Sequence, residues 1–65
     1  MFVLELNQSE AKDLRAALSI RVASMRQELA HTDSREYRVY VRETLERLEE
    51  VLGRLDGILA AGEKA

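Results

Sequence analysis

Sixty-five residues, 46% hydrophobic and 34% charged, with a net charge of −2, no proline and no cysteine, allow one small domain at most, residues 1–65. Without cysteine, disulfides and thiolate metal sites are excluded; the lone His31 cannot hold a metal alone; no uncharged run exceeds six residues, far short of the ~20 that cross a bilayer. The acidic balance argues against general nucleic-acid affinity, which accompanies a basic excess.

Residues 2–6 alternate, with Phe2, Leu4 and Leu6 on one side and Val3 and Glu5 on the other. This pattern predicts a short extended segment or edge strand. The segment has no basic flank and is too short for a signal peptide, so a cytoplasmic location is the default expectation. Asn7 with Glu10 three positions on has the form of a capping box, with Leu6 and Ala11 as a small staple around it.

A first helix is predicted over 8–31, because Ala11, Leu14, Leu18, Val22, Met25 and Leu29 recur at steps of three and four. Thr32 and Asp33 break the pattern as a tight turn, and Asp33 with Glu36 repeats the capping signature. A second helix is predicted over 34–59 from Val41, Leu45, Leu48, Leu52, Leu55 and Leu59. Tyr37, Thr44, Val51 and Ile58 widen that stripe beyond the seam of a two-stranded coiled coil. A frayed tail is expected over 60–65. The fold class is therefore all-α, an antiparallel two-helix hairpin with a short extended N-terminal segment.

A turn centred on Thr32 and Asp33 sets residues whose numbers sum to about 65 opposite one another. Leu29 then faces Tyr37, Met25 faces Val41, and Leu18 faces Leu48. Leu55, Ile58 and Leu59 overhang the start of the first helix, where Phe2, Leu4 and Leu6 are expected to cover them.

A hairpin this small is marginal alone, and two helices side by side leave an open apolar groove, here Leu18, Met25, Leu45, Leu52 and Leu55. Burying such side chains is worth ~1.5–3 kcal/mol each. Dimerisation into a four-helix bundle, or a tetramer, closes the groove. The predicted core and interface are Leu14, Leu18, Val22, Met25, Val41, Leu45, Leu48, Leu52, Leu55 and Leu59. Arg35, Arg38 and Arg42 precede Glu46, Glu49 and Asp56 on one flank, which favours an antiparallel partner. Ala16, Ser19, Ile20, Ala23 and Ala30 oppose the main stripe, either for helix propensity or as a second packing face.

No residue set carries chemistry. His31-Thr32-Asp33 lacks a nucleophile and a third orienting group, and a histidine in the last turn suits the helix dipole. Catalytic, cofactor and metal residues are therefore none. Arg21 and Glu28 fall inside the first stripe and are read as a register-setting polar pair that engages Glu43 or Arg38, or the partner copy. Arg35, Arg38 and Arg42 form a patch for a partner or for nucleic acid, diluted by Glu36 and Glu43. Tyr37 is read as core beside Leu29 and Tyr40 as a half-buried flank. Gly53, Gly57 and Ala61 form a small-residue ladder on the outer face, where each glycine weakens the helix.

The run from Glu28 to Tyr37, with Thr32-Asp33 at its centre, resembles the turn of short bacterial helical-hairpin proteins, a likeness extending loosely from Leu6 to Leu59. That resemblance implies a hairpin and no activity. In architecture alone the chain is similar to the Rop family of dimeric RNA-loop-binding hairpins, without a residue-by-residue match to their RNA-contacting face. The sequence thus points to a non-enzymatic homo-oligomeric module for protein–protein interaction or regulation. The alternative is a Rop-like nucleic-acid-binding regulator using the arginine patch.

Overall fold

Asn7 starts the first helix. Its Oδ1 accepts the Glu10 amide at 2.8 Å, and Glu10 Oε1 accepts the Asn7 amide at 3.0 Å, so two amides that the helix leaves unpaired are satisfied reciprocally. The computed structural model describes residues 1–62 in full and the backbone of 63 and 64. It comprises α1, Gln8–His31, and α2, Arg35–Lys64, packed against each other as a hairpin with extents of 47 × 24 × 15 Å.

The turn holds itself with short polar side chains. The Thr32 amide donates to the Glu28 carbonyl at 3.0 Å and closes α1, while Thr32 Oγ1 accepts the Ser34 amide at 3.4 Å. The cap of α2 is Ser34, whose Oγ accepts the Tyr37 amide at 3.3 Å and whose carbonyl accepts the Arg38 amide. This corrects the expectation that Asp33 caps with Glu36. Ser, Asp and Asn are near-equal caps, so adjacent candidates are separated only by the turn geometry.

The second helix runs beyond the expected end at 59, and the frayed tail expected over 60–65 is helix through Lys64; Ala65 lies outside the described residues. Gly57 and Gly62 weaken the helix without stopping it, and Ala60 and Ala61 favour it. No proline intervenes.

Val22, Met25, Val41 and Leu45 form the core cluster, with Leu29 and Leu48 packed against it. Ala11 and Leu55 are also buried, which completes the buried set among the described residues. Leu14, Leu18, Leu48, Leu52 and Leu59 are only half-buried. The groove is therefore narrower than the sequence suggests, since Met25, Leu45 and Leu55 are already covered within one hairpin.

Leu55 does not overhang α1. Arg15 bonds Asp56 and Arg26 bonds Glu49, so cross-hairpin partners sum to 71 and 75 rather than 65. Part of that excess is the reach of the arginine side chains. The three-residue connection, where two were expected, moves the sum by only about one, and Met25 and Val41, whose numbers sum to 66, share the core cluster as expected.

Residues 1–7 lie outside the helices. Phe2 and Leu4 do not cover Leu55, Ile58 and Leu59. Both project into solvent, Phe2 at 99% exposure, and only Leu6 reaches the end of α2. Leu55, 4% exposed, is covered by α1 itself, since at a sum of 66 it stands opposite Ala11, and this removes the arm's main anchor.

Candidate functional site

The hairpin has two unlike flanks. One is sealed by charge: Arg26 Nη2 donates to Glu49 Oε2 at 2.6 Å, and Arg15 Nε donates to Asp56 Oδ1. Each arginine lies one step off the α1 core stripe, and each acid lies one step off that of α2. The seven-residue spacing of Glu49 and Asp56 was the sequence signal for this seam, and hydrophobic periodicity alone overlooks it.

The opposite flank carries apolar side chains and stays open. On α2 it runs Tyr37, Tyr40, Thr44, Arg47, Val51 and Ile58, at helical steps of three, four and seven. Ile58 is 63% and Tyr40 60% exposed, with Tyr37 and Val51 less so. The rings of Tyr37 and Tyr40 lie 6.2 Å apart, so Tyr37 is not the core residue expected beside Leu29. Arg47 Nη2 donates to Thr44 Oγ1 at 3.3 Å and lies along the same face. On α1 the flank runs Leu14, Ala17, Arg21, Ser24 and Glu28.

Arg21 and Glu28 face each other along α1, Nη1 to Oε1 at 3.7 Å, and not Glu43 or Arg38, two of the three partners expected for them beside the second copy. The distance is beyond hydrogen-bond reach. Glu28 Oε2 is buried and makes no hydrogen bond, an arrangement that costs free energy in an isolated hairpin.

At the open end of the hairpin, away from the turn, this flank meets an apolar cleft of about 180 Å³ lined by Leu6, Asn7, Ala11, Ile58, Leu59 and Gly62. The chain exposes 5413 Å². A compact monomer of 7.4 kDa would expose roughly 4,200 Å². The surplus, partly the Met1–Leu4 arm, is comparable to the ~800 Å² that each partner buries in a stable interface.

Arg35, Arg38 and Arg42 are exposed on the charged side of α2 and enter none of the four ion pairs among the described residues. The acids expected to answer them across a dimer are largely engaged. Glu49 and Asp56 bind α1 within the same hairpin, which leaves Glu46. Ile20 is 72% exposed, away from both flanks. A Cβ added at Gly53 or Gly57 would meet nothing within 4 Å.

Among the described residues no cluster of three or more His, Asp or Glu side chains could hold a metal, and no helix is long and apolar enough to cross a membrane. Compared with protein-family models, curated proteins and solved structures, the chain matches none of them.

Proposed function

We propose that the chain is a non-enzymatic, cytoplasmic homodimer, a four-helix bundle of two hairpins that serves as a protein–protein interaction or regulatory module. The observation that carries this reading is the open flank, where Tyr40 and Ile58 stay well exposed beside half-buried Leu14 and Leu18. Exposed aromatic and aliphatic side chains of this kind, interleaved with Arg21 and Arg47, are a liability on a monomer and an asset at an interface, where aromatic residues and arginine are enriched. Closing it with a second hairpin leaves the charged flanks and the outer face of each α1 free for a partner protein.

The test is Val51→Glu and Ile58→Glu, compared with wild type by analytical ultracentrifugation. Both positions are exposed in one hairpin, so only association is penalised directly. The reading expects a loss of dimer at concentrations where wild type is dimeric. Unchanged association would contradict it.

A second reading, a nucleic-acid-binding regulator, is favoured by one observation: Arg35, Arg38 and Arg42 project together without ion-pair partners among the described residues. It requires salt-dependent RNA or DNA binding that charge reversal at Arg38 and Arg42 abolishes. The acidic Glu36, Glu43 and Glu46 interleaved with that patch weigh against it.

A further inference from the structure

Resting on the homodimer reading, we propose the arrangement of its two copies: antiparallel, α1 on α1 and α2 on α2, about a two-fold axis crossing the open flank at Thr44. The order of residues along the flank is the argument. On α2, Thr44 is the centre of a nearly symmetric series, with Tyr40 and Arg47 one step out and Tyr37 and Val51 seven residues out. Rotation about Thr44 lays Tyr40 against the partner's Arg47, a cation on an aromatic face, and Tyr37 against the partner's Val51. Thr44, small and half-buried, lets the two α2 helices approach at the axis.

On α1 the same axis passes through the core cluster that joins Val22 and Met25 to Val41 and Leu45. Arg21 and Glu28 flank that point on either side. Rotation brings Arg21 to the partner's Glu28 and Glu28 to the partner's Arg21. The buried Glu28 Oε2, which hydrogen-bonds to nothing in one hairpin, then gains a cationic donor. The loose 3.7 Å pairing within the chain leaves the Arg21 guanidinium available for it.

The parallel alternative, with the axis along the helices, sets α1 against the partner's α2 at equal levels. Arg21 would then oppose the partner's Arg47, and at that same level Glu28 would face the partner's Tyr40, which leaves its carboxylate without a cation. Like charges face each other in that arrangement, which selects against it.

The test uses the absence of native cysteine. A residue on a two-fold axis meets its own copy, and a disulfide requires Cα atoms within roughly 7 Å. Thr44→Cys should therefore form a disulfide-linked dimer on mild oxidation, while Val51→Cys and Ile20→Cys should not. As an independent arm, Arg21→Glu and Glu28→Arg should each raise the dimer Kd about tenfold or more. Mixed together, the two variants should form a mixed dimer above its statistical share by native mass spectrometry. Wild type that is monomeric at every concentration overturns the homodimer reading itself. A dimeric wild type whose Thr44→Cys stays unlinked, or whose charge variants show no mixed-dimer preference, overturns this arrangement and leaves the homodimer standing.

Discussion

Arg26 reaches across the hairpin to Glu49, Nη2 to Oε2 at 2.6 Å, and seals the flank opposite the one that exposes Val51 and Ile58. With Arg15 and Asp56 it makes the molecule two-sided, which leaves the other flank for the proposed self-association.

The Arg26–Glu49 pair fixes register more than it stabilises. Both side chains are substantially exposed, so a double-mutant cycle with Arg26→Ala and Glu49→Ala should give a coupling of ~0.2–1 kcal/mol, shrinking as salt is raised. Urea unfolding at low and high ionic strength reads it directly.

Asn7 carries both bonds of the capping box at the start of α1. Asn7→Ala should cost ~0.5–2 kcal/mol, seen as a lower urea midpoint at unchanged slope. Ser34→Ala should cost a comparable amount, because Ser34 caps α2. Asp33→Ala should cost less than either, since no hydrogen bond to its side chain supports the turn among the described residues.

Much of the hairpin was legible in the sequence. The Asn7–Glu10 box and the three-four spacing from Ala11 to Leu29 mark α1, and the leucines from Leu45 to Leu59 mark α2. What escaped was decided by geometry that pattern does not encode. Ser34 rather than Asp33 takes the cap, and the connection is one residue longer. Leu55 lies under α1 opposite Ala11, and Phe2 and Leu4 are left in solvent. The polarity of the two flanks was also hidden, because Arg15, Arg26, Glu49 and Asp56 are separated in sequence by 23 to 41 residues within each pair. The roles of Arg21 and Glu28 were half legible: both lie at the stripe, but they face each other rather than Glu43 or Arg38.

Gly53 and Gly57 sit in the interior of α2, and a Cβ at either would meet open space. Gly53→Ala and Gly57→Ala should each stabilise the protein by ~0.5–1 kcal/mol with the assembly unchanged. A destabilising effect at either site would reveal a close neighbour on the outer face, such as a further copy packed there.

Met25 is 1% exposed and joins both helices in the core cluster. Met25→Ala should cost ~2–5 kcal/mol, enough to unfold a chain of this size at room temperature. Phe2→Ser, at a position with almost no contacts, should shift the midpoint within about 0.5 kcal/mol. Circular dichroism during urea titration separates the two outcomes.

The central claim is that the open flank is closed by a second copy. Absolute mass by light scattering, measured over a hundredfold dilution of the wild-type chain, tests it most directly. The account predicts twice the 7.4 kDa chain mass at high concentration, with the melting temperature rising as concentration rises. A helical species of single-chain mass throughout, with a melting temperature independent of concentration, would contradict it.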